Sequence, residues 1–215
     1  MKKVHWPGAT LMMPVPPALV SCGTMEHPNC LTIAWTGIIN SQPPKTYISI
    51  RPERHSYEII KQSKEFIINM PTAKMVREID WCGVRSGAKE DKFKAMKFTP
   101  YEVEGFECPA IEELPIALTC KVFDIVPLGC HDMFMADITG VIVNEDLLDE
   151  NGRLEIEKAG LMAYAHGQYF ELGKKIGSFG FSVKKPEKKV KKQTNNSPKK
   201  HTSAKPFVKK KTAKK

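Results

Sequence analysis

Two long runs, Leu114–Pro127 and Met133–Glu145, constrain the fold of this 215-residue chain more than any other feature. Both are dense in Val, Ile, Phe and Thr, and only Leu128–Asp132 separates them. Such side chains suit a pleated, half-buried surface, and so short a connection predicts a hairpin. Ala18–Gly23 and Cys30–Gly37 read as adjacent strands joined by a polar turn at Glu26–Asn29. Another strand, Lys45–Arg51, follows Pro43-Pro44, with Tyr47, Ser49 and Arg51 alternating with Thr46, Ile48 and Ile50. Pro52 stops it, and Glu53–Ser63 reads as a short helix whose apolar side is Tyr57, Ile59 and Ile60. Glu65–Asn69 returns as a strand. Thr72 is placed to cap a helix over 73–82, and a third helix is expected over Lys89–Ala95, beyond a polar loop at Arg85-Ser86-Gly87. Glu155–Ala163 reads as a turn of helix or a loop, and Ile176–Val183 as a last short strand. Strands joined mainly by hairpins, with few short helices, predict a mainly β, antiparallel barrel rather than a parallel α/β sheet. The sequence shows no internal repeat.

Charge divides the chain in two. The whole carries a formal +9, yet the stretch from Lys184 to Lys215 holds fourteen Lys against the single Glu187. That leaves a mildly acidic body, 1–183, and a Lys-rich tail, 184–215, whose composition cannot bury a core and predicts disorder. Such a tail suits weak, salt-sensitive contact with nucleic acid or an anionic surface, or simply aids solubility. Lys2-Lys3 precedes a Pro-broken segment rather than a secretory apolar run, and no stretch is long enough for a membrane span. The six cysteines form no CxxC pair and have no His at metal-ligand spacing, so they read as reduced core residues of a cytoplasmic protein, with no metal expected.

Motifs exclude several enzyme classes. No GxGxxG opens a helix after a strand, no GxxxxGK[ST] loop occurs, and no Gly-Xaa-Ser-Xaa-Gly offers a nucleophile elbow. What remains is the segment from Cys30 to Ser56. It carries hydroxyls and a glycine at Thr32-Ile-Ala-Trp-Thr-Gly37, and an Arg/His/Ser cluster at its end. Hydroxyls and backbone N–H groups on a tight turn suit a phosphate, and Trp35 offers a planar apolar wall. The combination points to a phosphorylated aromatic cofactor that performs the chemistry itself.

These residues resemble a known family. Thr32–Gly37, Ser41-Gln-Pro-Pro44, Tyr47–Arg51, Arg54-His-Ser56 and Glu65–Asn69 are similar to the flavin reductase-like family, whose fold is an FMN-binding, Greek-key split β-barrel. Cys82–Gly87, Asp91–Phe93 and Leu172–Gly180 resemble its flavoredoxin branch. The resemblance runs from about Pro14 to Val183. It implies a homodimer with one FMN per subunit near the interface. It places Thr32, Ala34, Trp35, Thr36, Gly37, Asn40 and Ser41 along the ring and ribityl chain, and Ser49, Arg51, His55 and Ser56 around the phosphate. Lys92 and His131 would approach the ring from other segments, with Tyr164, His166 or Tyr169 closing its edge. No side chain is needed as a nucleophile. Taken alone, Trp35 also fits a core position, Lys92 a solvated helix face, His131 a turn, and Arg51 and His55 surface ion pairs. The function implied is an FMN oxidoreductase that relays electrons from a ferredoxin-like partner, or else an NAD(P)H-dependent flavin or ferric reductase. A flavin-binding protein without turnover, whose tail binds nucleic acid, is the reading from a different class.

Overall fold

The computed structural model describes residues 1–184, so the tail expected over 184–215 lies, but for Lys184, outside the described residues. Residues 1–175 form one compact unit. Its strands, in chain order, are β1 (Ala18–Gly23), β2 (Pro28–Ile33), β3 (Thr36–Ser41), β4 (Pro44–Ile50), β5 (Glu65–Met70), β6 (Pro100–Tyr101), β7 (Ala110–Ile111), β8 (Ile116–Pro127), β9 (Asp132–Val143), β10 (Met162–Ala165) and β11 (Gln168–Glu171). The helices are α1 (His55–Ser63), α2 (Val76–Val84) and α3 (Lys92–Met96). Seven strands form one antiparallel sheet in the order β2-β1-β5-β8-β9-β4-β3. Within it β4, β5, β8 and β9 lie in the spatial order β5-β8-β9-β4, which is a Greek key.

The expected strand Cys30–Gly37 is two strands, broken at Ala34-Trp35. The break closes the barrel. β2 and β3 lie at opposite ends of the strand order, yet two residues join them, so the sheet must curl until its ends meet. A backbone hydrogen bond from Ser49 N to Trp35 O (2.9 Å) marks the seam. This is a split barrel, antiparallel throughout its main sheet.

Period-two alternation decides what fills it. Ala18, Val20 and Cys22 of β1, Leu31 and Ile33 of β2, Ile48 and Ile50 of β4, and Phe66 and Ile68 of β5 face the interior with Phe134. Tyr57 and Ile60 of α1 join the same cluster, and the Tyr57 ring meets Phe134 edge-on at 5.2 Å. The opposite face of β1 and β2, Leu19 and Cys30, is covered by Ile79 and Cys82 of α2 and Phe93 of α3. Asn69 fastens the inner strands from a fully buried position. Its Nδ2 donates to Leu19 O (2.9 Å) and Ser21 Oγ (3.0 Å), and its Oδ1 accepts from Ile111 N (3.0 Å).

One expectation fails toward the C-terminus. Ile176–Val183 is not a strand; its only regular element is a 3-10 turn at Phe181–Val183, in keeping with three glycines, Gly173, Gly177 and Gly180, in that region. Instead β10 and β11 form a hairpin turned by His166 and Gly167, both at positive φ. Sequence periodicity missed it because its arms are four residues each. Of the six cysteines, Cys130 is exposed rather than core, and all six are free thiols. No helix among the described residues is long and apolar enough to cross a membrane.

Candidate functional site

The barrel seam carries three adjoining cavities. The middle one is lined by Leu31–Trp35 of β2 and the break, by Ser49–Arg51, and by Arg54 and His131. It shares Leu31, Arg51 and Arg54 with a second cavity, completed by His55, Ser56, Arg85, Ser86, Gly87 and Lys92. It shares Thr32–Ala34 with a third, whose walls include Pro17, Asp80, Tyr164 and Tyr169. Their volumes of about 140, 220 and 190 Å³ together match a small-molecule site, typically ~300–1,000 Å³.

The C-terminus of α2 organises the cationic end. The last carbonyls of a helix lack intrahelical partners and carry partial negative charge, so they attract cations. Lys92 Nζ donates to Cys82 O (2.7 Å) and to Cys30 O on the free edge of β2 (2.8 Å). Arg54 Nη1 donates to Gly83 O (3.2 Å), and Thr32 Oγ1 to Ile79 O (2.5 Å). Lys92 is the first residue of α3, which Asp91 caps by accepting from Lys94 N (3.0 Å). That start turns Lys92 inward, and only 3% of it is exposed; it is not a solvated helix residue.

The surrounding charge is strongly positive. Arg51, Arg54, Arg85 and Lys92 line one cavity against a single acid, Glu53, which Arg51 meets at 3.5 Å. Partial burial, then Arg51 and Arg54, pull the His131 pKa below its ordinary value. Burial chiefly, with Arg54 among the lesser causes, lowers that of Lys92. Four cations facing one acid suit an anion. Gly87 makes room for the cavity wall: a Cβ there would stand 2.2 Å from Asn29 Oδ1 and 2.9 Å from His55 Cδ2. Buried Asn29 is itself held by Ser56, its Nδ2 donating to Ser56 Oγ at 2.7 Å.

The third cavity is aromatic. Tyr164 and Tyr169 meet edge-on at 5.3 Å, and Tyr169 Oη donates to Asp80 Oδ1 (3.2 Å). Burial, followed by the Asp80 charge, pushes the Tyr169 phenol up to about 12. Trp35 is half-buried along the middle cavity rather than in the core.

Of the residues singled out from sequence, Thr32, Ala34, Trp35, Ser49, Arg51, His55, Ser56, Lys92, His131 and Tyr164 line the three cavities, and Tyr169 with them. Thr36, Gly37, Asn40 and Ser41 do not. Thr36 Oγ1 donates to Tyr47 O (2.6 Å), Gly37 O accepts from Thr46 Oγ1 (2.9 Å), and Asn40 Nδ2 donates to Pro43 O (2.7 Å). Exposed Ser41 ends β3, and His166 sits in the β10–β11 turn. Sequence reasoning passed over Arg54, Arg85, Ser86, Gly87 and Asp80 as lining residues. The polar loop Arg85–Gly87 was the available signal, because Gly beside hydroxyl and cationic side chains suits a phosphate. Among the described residues no group of three or more His, Cys, Asp or Glu could hold a metal.

The donor set and the aromatic walls together fit a phosphorylated, planar ligand. The comparisons agree. The whole length of the flavoredoxin of Desulfovibrio vulgaris (Miyazaki F) superposes on 85% of this chain with TM-score 0.79 and 30% identity. The flavoredoxin of Methanosarcina acetivorans is covered as fully, over 86% of this chain, with TM-score 0.77 and 23% identity, and shows the shared fold. An NADPH-flavin oxidoreductase of Streptomyces viridifaciens is 24% identical over 166 residues, 75% of this chain and 84% of its own. The family model described as flavin reductase like domain matches residues 10–173, and the chain belongs to that family.

Proposed function

We propose that this protein binds FMN at the barrel seam and acts as an oxidoreductase, passing electrons from a protein donor to an acceptor as a flavoredoxin would. The observation that carries the reading is the continuity of a four-cation cavity with a Trp-walled cavity and a tyrosine-lined one. Bound there, FMN would supply two-electron redox chemistry at its ring. Arg51, Arg54 and Arg85 would hold the phosphate charge, with Ser56 and Ser86 as hydroxyl donors. Trp35 and Tyr164 would exclude water from the ring. Buried Lys92 would lower the cost of negative charge accumulating in the cleft. The fully covered length of the Desulfovibrio protein supports the carrier reading. The Streptomyces relative supports a second one, in which NAD(P)H is the donor.

The family's dimeric arrangement is part of the proposal. Ile38 and Ile39 of β3, 65% and 45% exposed, are apolar residues that a second copy would cover. A cytoplasmic location is likewise proposed. Anaerobic visible spectra decide between donors. Flavin bands that bleach with NADH or NADPH establish the pyridine-nucleotide reductase. Bands that persist until reduced ferredoxin arrives establish the carrier. Protein that is colourless and takes up no added FMN refutes both.

A further inference from the structure

Five of the six cysteines are buried, and two of them touch. Cys30 Sγ and Cys82 Sγ lie 3.8 Å apart, the one thiol–thiol hydrogen-bond contact among the described residues. They come from different elements, β2 and α2, across the apolar layer they share with Ile79 and Phe93. Their backbone carbonyls are the two acceptors that hold Lys92. One cation therefore bridges the strand and the helix that carry the two sulfurs, and that cation lines the proposed phosphate cavity.

We propose that Cys30 and Cys82 form a reversible dithiol–disulfide couple whose state is read by Lys92 in the adjoining cleft. The pair is asymmetric in the way such a couple requires. The hydrogen bond from Cys30, together with the Lys92 charge, lowers the Cys82 pKa; the same hydrogen bond and burial raise that of Cys30. Cys82 is the sulfur that takes up negative charge and attacks, and Cys30 resolves.

The oxidant must be small and uncharged, since Cys30 and Cys82 are 0% and 1% exposed; hydrogen peroxide meets both conditions. Cys82 thiolate attacks one peroxide oxygen. An S–O bond forms, the O–O bond breaks, and the departing oxygen takes a proton to leave as water. Cys30 sulfur then attacks the Cys82 sulfenic sulfur. An S–S bond forms, the S–O bond breaks, and the thiol proton leaves with the oxygen as a second water. The two sulfurs lose two electrons and the peroxide gains them. A dithiol reductant reverses the change. Closing the sulfurs from 3.8 Å to the ~2.05 Å of a disulfide draws β2 and α2 together at the residues that grip Lys92. The cleft then presents its buried cation differently.

The test uses the full-length wild-type protein. It is treated with hydrogen peroxide, its free thiols are blocked under denaturing conditions, and its proteolytic peptides are mapped by mass. The expected result is a Cys30–Cys82 cross-linked peptide that dithiothreitol releases and that is missing from Cys30→Ser and Cys82→Ser. Recovery of both residues as blocked thiols, or as separately over-oxidised cysteines, overturns the couple. FMN titrations of reduced and oxidised protein, expected to differ about fivefold or more, test the link to the cleft. A cross-link with unchanged FMN affinity overturns the role of Lys92. Mapping needs no bound flavin, so failure of FMN binding leaves the test of the couple intact.

Discussion

Adding a single carbon at Gly87 tests the shape of the proposed phosphate cavity. Its φ lies outside the left-handed region, so alanine meets no backbone penalty. The cost is steric. The new Cβ would stand 2.2 Å from Asn29 Oδ1, 2.9 Å from His55 Cδ2 and 3.0 Å from Asn29 Cγ, where ordinary contact begins near 3.4 Å. More than an ångström of overlap must be relieved. Asn29 is poorly able to move, because it is buried and donates to Ser56 Oγ and to Cys22 Sγ (3.5 Å). Either those bonds break, or loop 85–87 withdraws and carries Arg85 and Ser86 from the cleft. Overpacking of this kind costs about 1–3 kcal/mol, and a lost buried hydrogen bond about 1 kcal/mol more. Gly87→Ala should therefore lower the melting temperature by about 4–16 °C, at ~2–4 °C per kcal/mol for a domain of this size. FMN affinity should fall about tenfold or more, a change of ~1.4 kcal/mol or greater. Gly173→Ala, with nothing within 4 Å of the added carbon, serves as control and should change neither quantity. Calorimetry and FMN fluorescence quenching read the two effects. If Gly87→Ala matches wild type in both, the close packing of the loop against Asn29 and His55 is wrong.

Other perturbations probe different parts of the account. Arg51→Ala should weaken FMN about ten- to a hundredfold, as loss of a charge-assisted hydrogen bond worth ~1.5–3 kcal/mol implies, and should flatten the salt dependence of binding. Glu65 is buried and accepts from Lys121 Nζ, Glu107 N (2.7 Å) and Cys108 N (2.9 Å); these bonds outweigh its desolvation and hold its pKa below the ordinary value of 4.5. Its stabilising contribution is therefore complete above the unfolded-state pKa and lost as pH falls through the lower folded one. Glu65→Gln should flatten the acid limb of a stability–pH profile measured by urea unfolding, and an unchanged limb refutes the assignment. Asn69→Ala removes the buried side-chain bonds to Leu19 O, Ser21 Oγ and Ile111 N and should cost about 2–4 kcal/mol in the same assay.

Local patterning carried the barrel interior clearly. Alternation in β4 and β5 and the long β8–β9 hairpin depend only on neighbours along the chain, so the sequence shows them. The break at Ala34-Trp35 was hidden because both flanking segments have strand composition. What interrupts them is the closing of the sheet, a tertiary requirement. The site was legible where a residue's strand or helix start fixes its direction, as for Ser49, Arg51 and Ser56. Lys92 by itself reads as a solvated helix residue, because no pattern reveals that two carbonyls from distant segments await its ammonium. Arg54 and Arg85 were passed over for a related reason: only the fold brings their loops to one cavity.

The central claim is that a cationic cleft at the barrel seam selects a flavin by its phosphate. It is tested most directly by titrating flavin-free protein with FMN and with riboflavin, at low and high salt. The account predicts FMN binding at least about a hundredfold tighter than riboflavin, as two charge-assisted hydrogen bonds require, with the gap narrowing as salt rises. Equal affinities for the two flavins, or no binding of either, would contradict it.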